Sequence, residues 1–379
     1  MTSNVFANLA APGVAALHPY QPGKPVEELE RELGITGAVK LASNENPLGP
    51  SPKVLEALPR LLPELGRYPD GNGFALKSLL AQRHGIGAEQ LTLGNGSNDI
   101  LELIARAFVT PSNEVIFSEH AFAVYPIVTQ AVGARAVTTP AREWGHDLDA
   151  MLREVNDRTR VVFVANPNNP TGTWLGAQAL EQFVESIPRH VVVVIDEAYH
   201  EYASRWPAAQ ADGYPDATQW VARYPNLVVT RTFSKAYALA GLRVGYAVSN
   251  AGIADLLNRV RQPFNVNTLA LAAAGIALND EGHLERALRV NSDGMQQLIS
   301  VFDELGLEHI PSAGNFVAVD VGRDAGPVYD ALLRRGVIVR PVANYGMPRH
   351  LRVTVGTAAE NERFVEALRE ICRVDTSVS

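Results

Sequence analysis

Cysteine is almost missing from this 379-residue chain, and the lone thiol, Cys372, can close no intrachain disulfide and has no partners for a metal cluster. A reducing cytoplasm is the expected home. No Lys/Arg-dense stripe offsets the formal charge of -8, which argues against a general polyanion binder such as a nucleic-acid protein. No stretch approaches the roughly 20 apolar residues that span a bilayer, so no membrane partner is expected. Residues 1–17 have no basic start and read poorly as a signal peptide. The nine histidines are scattered without the paired spacing of a metalloprotease helix, so no metal is expected. Repeats and low-complexity tracts are absent as well. What remains is an ordinary globular composition, 46% apolar and 20% charged, long enough for two domains.

The middle of the chain alternates short apolar runs with amphipathic stretches, the pattern of an α/β domain whose mostly parallel central sheet is covered by helices. Strands are expected at 115–117, 161–165, 191–195, 227–230 and 244–248, and a helix from about Ile100 onward. From about residue 267 the texture becomes helix-rich, with short strands at 315–321, 337–340 and 351–355 and a closing helix at 359–373. The expected organisation is an N-terminal segment (1–45) packing with the small domain, a large domain (46–266) and a smaller α+β domain (267–379).

The polar motifs follow the strands directly. In such sheets ligands bind at the carboxyl ends of strands, so segments distant in sequence should converge on one crevice. Lys235 lies in Thr232-Phe233-Ser234-Lys235-Ala236-Tyr237, ahead of Gly241-Leu242-Arg243-Val244-Gly245-Tyr246. Taken singly, a lysine is usually a solvated surface charge. Here the amine suits a Schiff base to pyridoxal phosphate, with hydroxyls and an arginine for the phosphate. Asp196 ends an apolar run, where an ionised carboxylate is costly unless paired; a protonated pyridine nitrogen is one partner and a helix N-cap the plainer role. Tyr199 can reach the cofactor's phenolic oxygen or be a core tyrosine. In Asn166-Pro167-Asn168-Asn169-Pro170-Thr171-Gly172 the prolines stiffen the loop and would hold the Asn169 amide as a donor to that same oxygen. Gly94-Asn95-Gly96-Ser97-Asn98-Asp99 precedes a helix and suits an anion, with Ser97 as a plain N-cap the alternative. Phe122, with Tyr125 close behind, can stack on a ring or belong to the core. Arg340 and Arg352 follow or interrupt apolar strands and suit a carboxylate or a phosphate, or a surface ion pair.

Together these segments resemble the fold-type I pyridoxal-phosphate aminotransferases, and most closely the histidinol-phosphate aminotransferase family. The resemblance runs in order from His18-Pro19-Tyr20-Gln21-Pro22-Gly23-Lys24-Pro25 and Leu41-Ala42-Ser43-Asn44-Glu45-Asn46-Pro47-Leu48-Gly49 to Leu351-Arg352-Val353-Thr354-Val355-Gly356-Thr357. It implies Lys235 as Schiff-base lysine and proton shuttle, Asp196 as pyridinium partner, and Asn169 and Tyr199 on the ring oxygen. Phe122 falls where the family has a stacking aromatic, often tyrosine. The resemblance places Ser97, Asn98, Thr232, Ser234 and Arg243 on the phosphate. Tyr68 matches a tyrosine that reaches the neighbouring subunit's cofactor, which implies a homodimer with shared sites. Tyr20, Asn44, Arg340 and Arg352 match substrate positions, Arg352 the α-carboxylate grip and Tyr20 and Arg340 the phosphate end, although which arginine takes which anion stays open. The implied reaction is ping-pong transfer of an amino group between L-histidinol phosphate and 2-oxoglutarate, giving imidazole-acetol phosphate and glutamate. The rival within the fold is an aromatic amino-acid aminotransferase. A base at position 235 needs its pKa brought down from roughly 10.4.

Overall fold

The computed structural model describes residues 6–19 and 23–376, with the side chains of 374–376 left aside. Seven strands form the large sheet, in the spatial order Leu91–Gly94, Gly245–Ser249, Leu227–Thr232, Val192–Asp196, Thr159–Ala165, Glu114–Ser118, Arg135–Thr139. The last five run parallel, and Gly245–Ser249 is antiparallel to both its neighbours. The expected α/β fold with a mostly parallel central sheet is therefore present. Its runs of Val and Ile are buried on both faces, as strands sandwiched between helical layers require. Alternation divides them: Val193, Ile195 and Val229 enter one core, while Val192, Val194 and Val228 enter the other.

Two strands of the large sheet escaped the sequence reading. Arg135–Thr139 is an edge strand, largely exposed and without an apolar run, and Leu91–Gly94 is only four residues long. The helix expected near Ile100 begins at Ser97, directly after Gly96.

A second, antiparallel sheet orders His309–Ile310, Phe316–Asp320, His350–Thr354 and Arg340–Pro341. The stretch expected as one strand at 337–340 is divided: Val337–Ile338 pairs instead in parallel with Val39–Lys40. The N-terminal stretch is thereby sewn to the C-terminal part of the chain. Val39 and Leu41 share a core with Phe302, Val317, Val353 and Phe364.

Register decides where the chemistry sits. Ala165 lies opposite Asp196, and Asp196 opposite Thr230, so three parallel strands end at one level. The loops that follow them open onto a common crevice.

Candidate active site

At that level is a cleft of ≈ 380 Å³. Asn44, Ser97, Asn98, Phe122, Asn169, Asp196, Tyr199, Thr232, Ser234, Lys235, Arg243, Arg340 and Arg352 all line it. Of the remaining expected site residues, one lies outside the described residues and one was expected at the neighbouring subunit's cofactor. Tyr20 lies outside the described residues. Tyr68 is 82% exposed, with its ring stacked on Phe264 at 4.6 Å, and does not line this chain's cleft.

Lys235 follows the strand Leu227–Thr232 by three residues, and the buried Phe233 ring anchors the connection. A turn closes behind it, with Ala238 N–H donating to the Lys235 carbonyl. Nζ donates to the Ser43 carbonyl oxygen at 3.1 Å. Burial brings the amine's pKa down to about 7; the Arg352 guanidinium pushes the same way, and Glu45 opposes it. A primary amine that is largely neutral at physiological pH can act as nucleophile and as base.

Asp196 is buried at the cleft floor and held by two hydroxyls. Thr230 Oγ1 donates to Oδ1 at 2.9 Å, and Tyr125 Oη donates to Oδ2 at 3.0 Å. Burial raises the carboxyl pKa, and the Thr230 and Tyr125 hydroxyls pull against that rise. Of the two readings of Tyr125, ring-stacker or core, the core one holds: it is fully buried, stacked on Phe163 at 4.6 Å, and serves to aim the carboxylate. Thr230 went unnoticed; its only signal was its place two residues before Thr232, on the neighbouring strand.

Tyr199 Oη accepts from Asn44 Nδ2 at 2.8 Å and from Asn169 Nδ2 at 3.1 Å. With two donors on the oxygen, its own proton is the group left to offer to a ligand. Burial raises this phenol to about 12, so it stays protonated. The expected Asn169 donor is thus directed at Tyr199. Its Oδ1 accepts from Arg352 Nη1 at 2.6 Å, and Arg352 Nη2 donates to the Ala42 carbonyl at 2.7 Å. Asn44, expected to meet substrate, lines the cleft and also donates to Tyr199 and accepts from Thr354 Oγ1. Arg352, Asn169, Tyr199 and Asn44 form one chain of hydrogen bonds along the cleft wall.

The other end of the cleft is a cradle for an anion. Helix Ser97–Phe108 starts there with no side-chain cap, so its first-turn N–H groups remain available. Gly96 is required by more than its φ of +79°: a Cβ there would lie 2.3 Å from Arg243 Nη2. Arg243 itself sits at φ +59° and donates to Ser234 Oγ at 3.3 Å. A guanidinium, two hydroxyls and a helix N-terminus make a donor set with no acid in it. Phe122, Asp196, Tyr199 and Lys235 line the same cleft beyond this cradle, offering an aromatic face, a carboxylate, a phenol and an amine to a phosphorylated aromatic aldehyde. The residues present fit pyridoxal phosphate.

Comparison with known proteins agrees with this geometry. Residues 36–368 match the family model for aminotransferase class I and II. Histidinol-phosphate aminotransferase 2 of Pseudomonas fluorescens is 64% identical over 371 residues, covering 97% of this chain and 99% of the relative. The Pseudomonas aeruginosa enzyme of the same name is 63% identical over 372 residues, 98% of this chain and 99% of the relative. Among solved structures, histidinol-phosphate aminotransferase from Sinorhizobium meliloti in complex with pyridoxal-5'-phosphate superimposes with a TM-score of 0.86 at 31% identity, covering 96% of this chain and 97% of that one. By its fold, by the lysine and carboxylate at the ends of its parallel strands and by these matches, the chain belongs to the class I and II aminotransferases.

Proposed function

We propose that this protein is a histidinol-phosphate aminotransferase, exchanging amino and oxo groups between L-histidinol phosphate and 2-oxoglutarate through pyridoxal phosphate. The observation that carries it is the meeting, in one cleft, of a buried lysine and a hydroxyl-clamped carboxylate, beside an acid-free anion cradle and two further arginines. The named relatives supply the substrate.

Pyridoxal phosphate, when bound, supplies the aldehyde that takes the amino group and a ring that accepts the electron pair left as the α-proton departs. Ser97, Asn98, Thr232, Ser234 and Arg243 would hold its phosphate. Asp196, aimed by Thr230 and Tyr125, would keep a proton on the ring nitrogen, and Tyr199 would donate to the ring oxygen. Lys235 Nζ would take up the α-proton and give it back, acid–base help typically worth about 10² to 10⁴ in rate. Arg352, fixed by Asn169 and Ala42, offers a fork for a carboxylate, and Arg340 lies in the same cleft for a second anion. The amino alcohol has no carboxylate, so Arg352 serves chiefly glutamate.

A homodimer completes the reading. Leu62, Leu65, Tyr68, Phe74 and Phe264 are all exposed apolar side chains, and a second copy would cover them and bring Tyr68 to its neighbour's phosphate. No described helix is long and apolar enough to cross a membrane, and the single cysteine suits a reducing cytoplasm. A spectrally followed half-reaction with histidinol phosphate, against phenylalanine and tyrosine, tests the assignment. Preference for the phosphorylated donor supports it; equal or better rates with the aromatic amino acids replace it with an aromatic aminotransferase.

A further inference from the structure

Residues 141–146 form a small antiparallel hairpin, Ala141 opposite His146 and Arg142 opposite Gly145. Its turn residues are Glu143 (φ 50°) and Trp144 (φ 66°). Turns with positive φ at both central positions normally take Asn or Gly, so two large L residues here are strained. Strain of this kind persists only where the surroundings hold it. The hairpin root is tied down, with His146 Nε2 2.9 Å from the Ala165 carbonyl and Arg142 paired with Asp147 at 3.1 Å.

The strained tip delivers one ring. Trp144 lies 5.2 Å from the His120 ring and 4.8 Å from that of His350, the latter pair inclined at 63°. It is 39% exposed, so filling a core does not explain it. The two histidines belong to different parts of the molecule. His120 stands two residues before Phe122 in the loop after Glu114–Ser118, and its Nδ1 is 2.6 Å from the Tyr345 carbonyl, across the junction with the small sheet. His350 opens the strand His350–Thr354, two residues before Arg352, and a strand's period of two puts both side chains on one face. Trp144 is thus wedged between the loop that carries Phe122 and the strand that carries Arg352.

We propose that Trp144 is a positioning residue that sets the Arg352 guanidinium at the correct distance from the cofactor cleft, and so tunes the affinity for the carboxylate substrate. This rests on the aminotransferase reading above. The wedge acts through His350 and the strand; it touches neither cofactor nor substrate. Loss of the ring lets the strand settle toward the gap and misaligns the fork, an error that weakens binding of the acid more than it slows chemistry on molecules that are bound.

The test is steady-state kinetics of the holoenzyme. For Trp144→Ala we expect KM for 2-oxoglutarate and for glutamate to rise about five- to tenfold. The value of kcat should stay within about twofold, with the cofactor's visible absorbance retained. Trp144→Phe, which keeps an aromatic ring between the histidines, should restore KM to within about twofold. Should the alanine variant fail to fold, Trp144→Leu against Trp144→Phe makes the same comparison at nearly constant bulk. Unchanged KM in the alanine or leucine variant, or equal losses in kcat and cofactor absorbance, overturns the proposal. The two failures are separable: a wild-type protein that does not transaminate at all removes the functional reading, whereas an active wild type beside an unaffected Trp144 variant removes the wedge alone.

Discussion

Capture of pyridoxal phosphate by the apoprotein should depend on pH in a way that reports Lys235 directly. Only the neutral amine attacks an aldehyde. A lysine at its ordinary 10.5 is about one part in a thousand neutral at pH 7.5, whereas Lys235, brought down to about 7, is roughly three-quarters neutral. The reactive fraction is therefore roughly 700-fold larger, and the second-order rate constant for cofactor uptake should rise to pH 7 and then level. Stopped-flow absorbance across pH 5.5 to 10 measures it, with a small free amine run in the same buffers so that the cofactor's own titrations divide out. Burial is the first cause of the shift and Arg352 the second, so Arg352→Gln should move the inflection upward without restoring 10.5. Linkage gives an independent check of sign. The unfolded chain holds the lysine proton between pH 7 and 10.5 and the folded apoprotein does not, so apoprotein stability gains a rising contribution across that window, which Lys235→Met removes. An uptake rate that climbs steadily through pH 9, with no plateau after correction, would falsify the assignment of a depressed amine at this position.

Other perturbations follow from the same geometry. Arg231 donates to Glu197 Oε2 from Nε at 2.9 Å and from Nη2 at 2.7 Å, and Glu197 has no exposed surface. Arg231→Met strands that carboxylate and should cost about 3–5 kcal/mol in denaturant unfolding. Burial lifts Glu197 to about 7 despite Arg231, so its contribution to stability declines as pH rises from 4.5 to 7, and Glu197→Gln should flatten that part of the stability profile. Gly96→Ala combines a φ of +79° with a clash on Arg243; cofactor Kd, read by fluorescence titration, should rise about 5- to 30-fold. Tyr125→Phe removes one hydrogen bond from a carboxylate, about 1.5–3 kcal/mol, and should lower kcat by roughly one to two orders of magnitude while the fold's Tm hardly moves; unchanged turnover would mean that Asp196 does not need aiming.

The large sheet was legible because its strands are buried on both sides, which writes them as uninterrupted runs of Val and Ile around residues 161–165, 191–195 and 227–230. The motifs around Asn169, Asp196 and Lys235 were legible because each closely follows such a run. Arg135–Thr139 was hidden because an exposed edge needs no apolar run, and the Glu143–Trp144 turn because neither residue carries a turn signal. Asn44 and Asn169 belong to the cleft, but one sequence cannot say that each amide also donates to Tyr199; that depends on a side chain more than a hundred residues from the one and thirty from the other. Tyr125 was visible as an aromatic near the site. Its attachment to Asp196 arises from the packing of helix Val124–Ala131 over the strand ends, which no local spacing encodes.

The charged residues between the site motifs have a physical reason to be there that only the sheet reveals. Successive side chains of a strand point to opposite faces, so presenting Asp196 to the cleft sends its neighbour Glu197 into the core beneath, and presenting Thr230 and Thr232 does the same to Arg231. The two inward residues meet as a buried ion pair, extended to Asp216 through Arg231 Nη2 at 2.6 Å, while the two outward ones meet as Thr230 and Asp196. Glu197 Oε1 also accepts from Ala217 N–H at 3.0 Å, and Glu197 N–H donates to the Thr230 carbonyl at 2.9 Å. A displaced Glu197 would therefore carry the adjoining Asp196 with it. The rear pair is expensive to desolvate and would be a poor choice for stability alone. Its directional bonds hold two strand ends in fixed register where the front pair must present a carboxylate at one height, a service an apolar pair of the same volume could not supply.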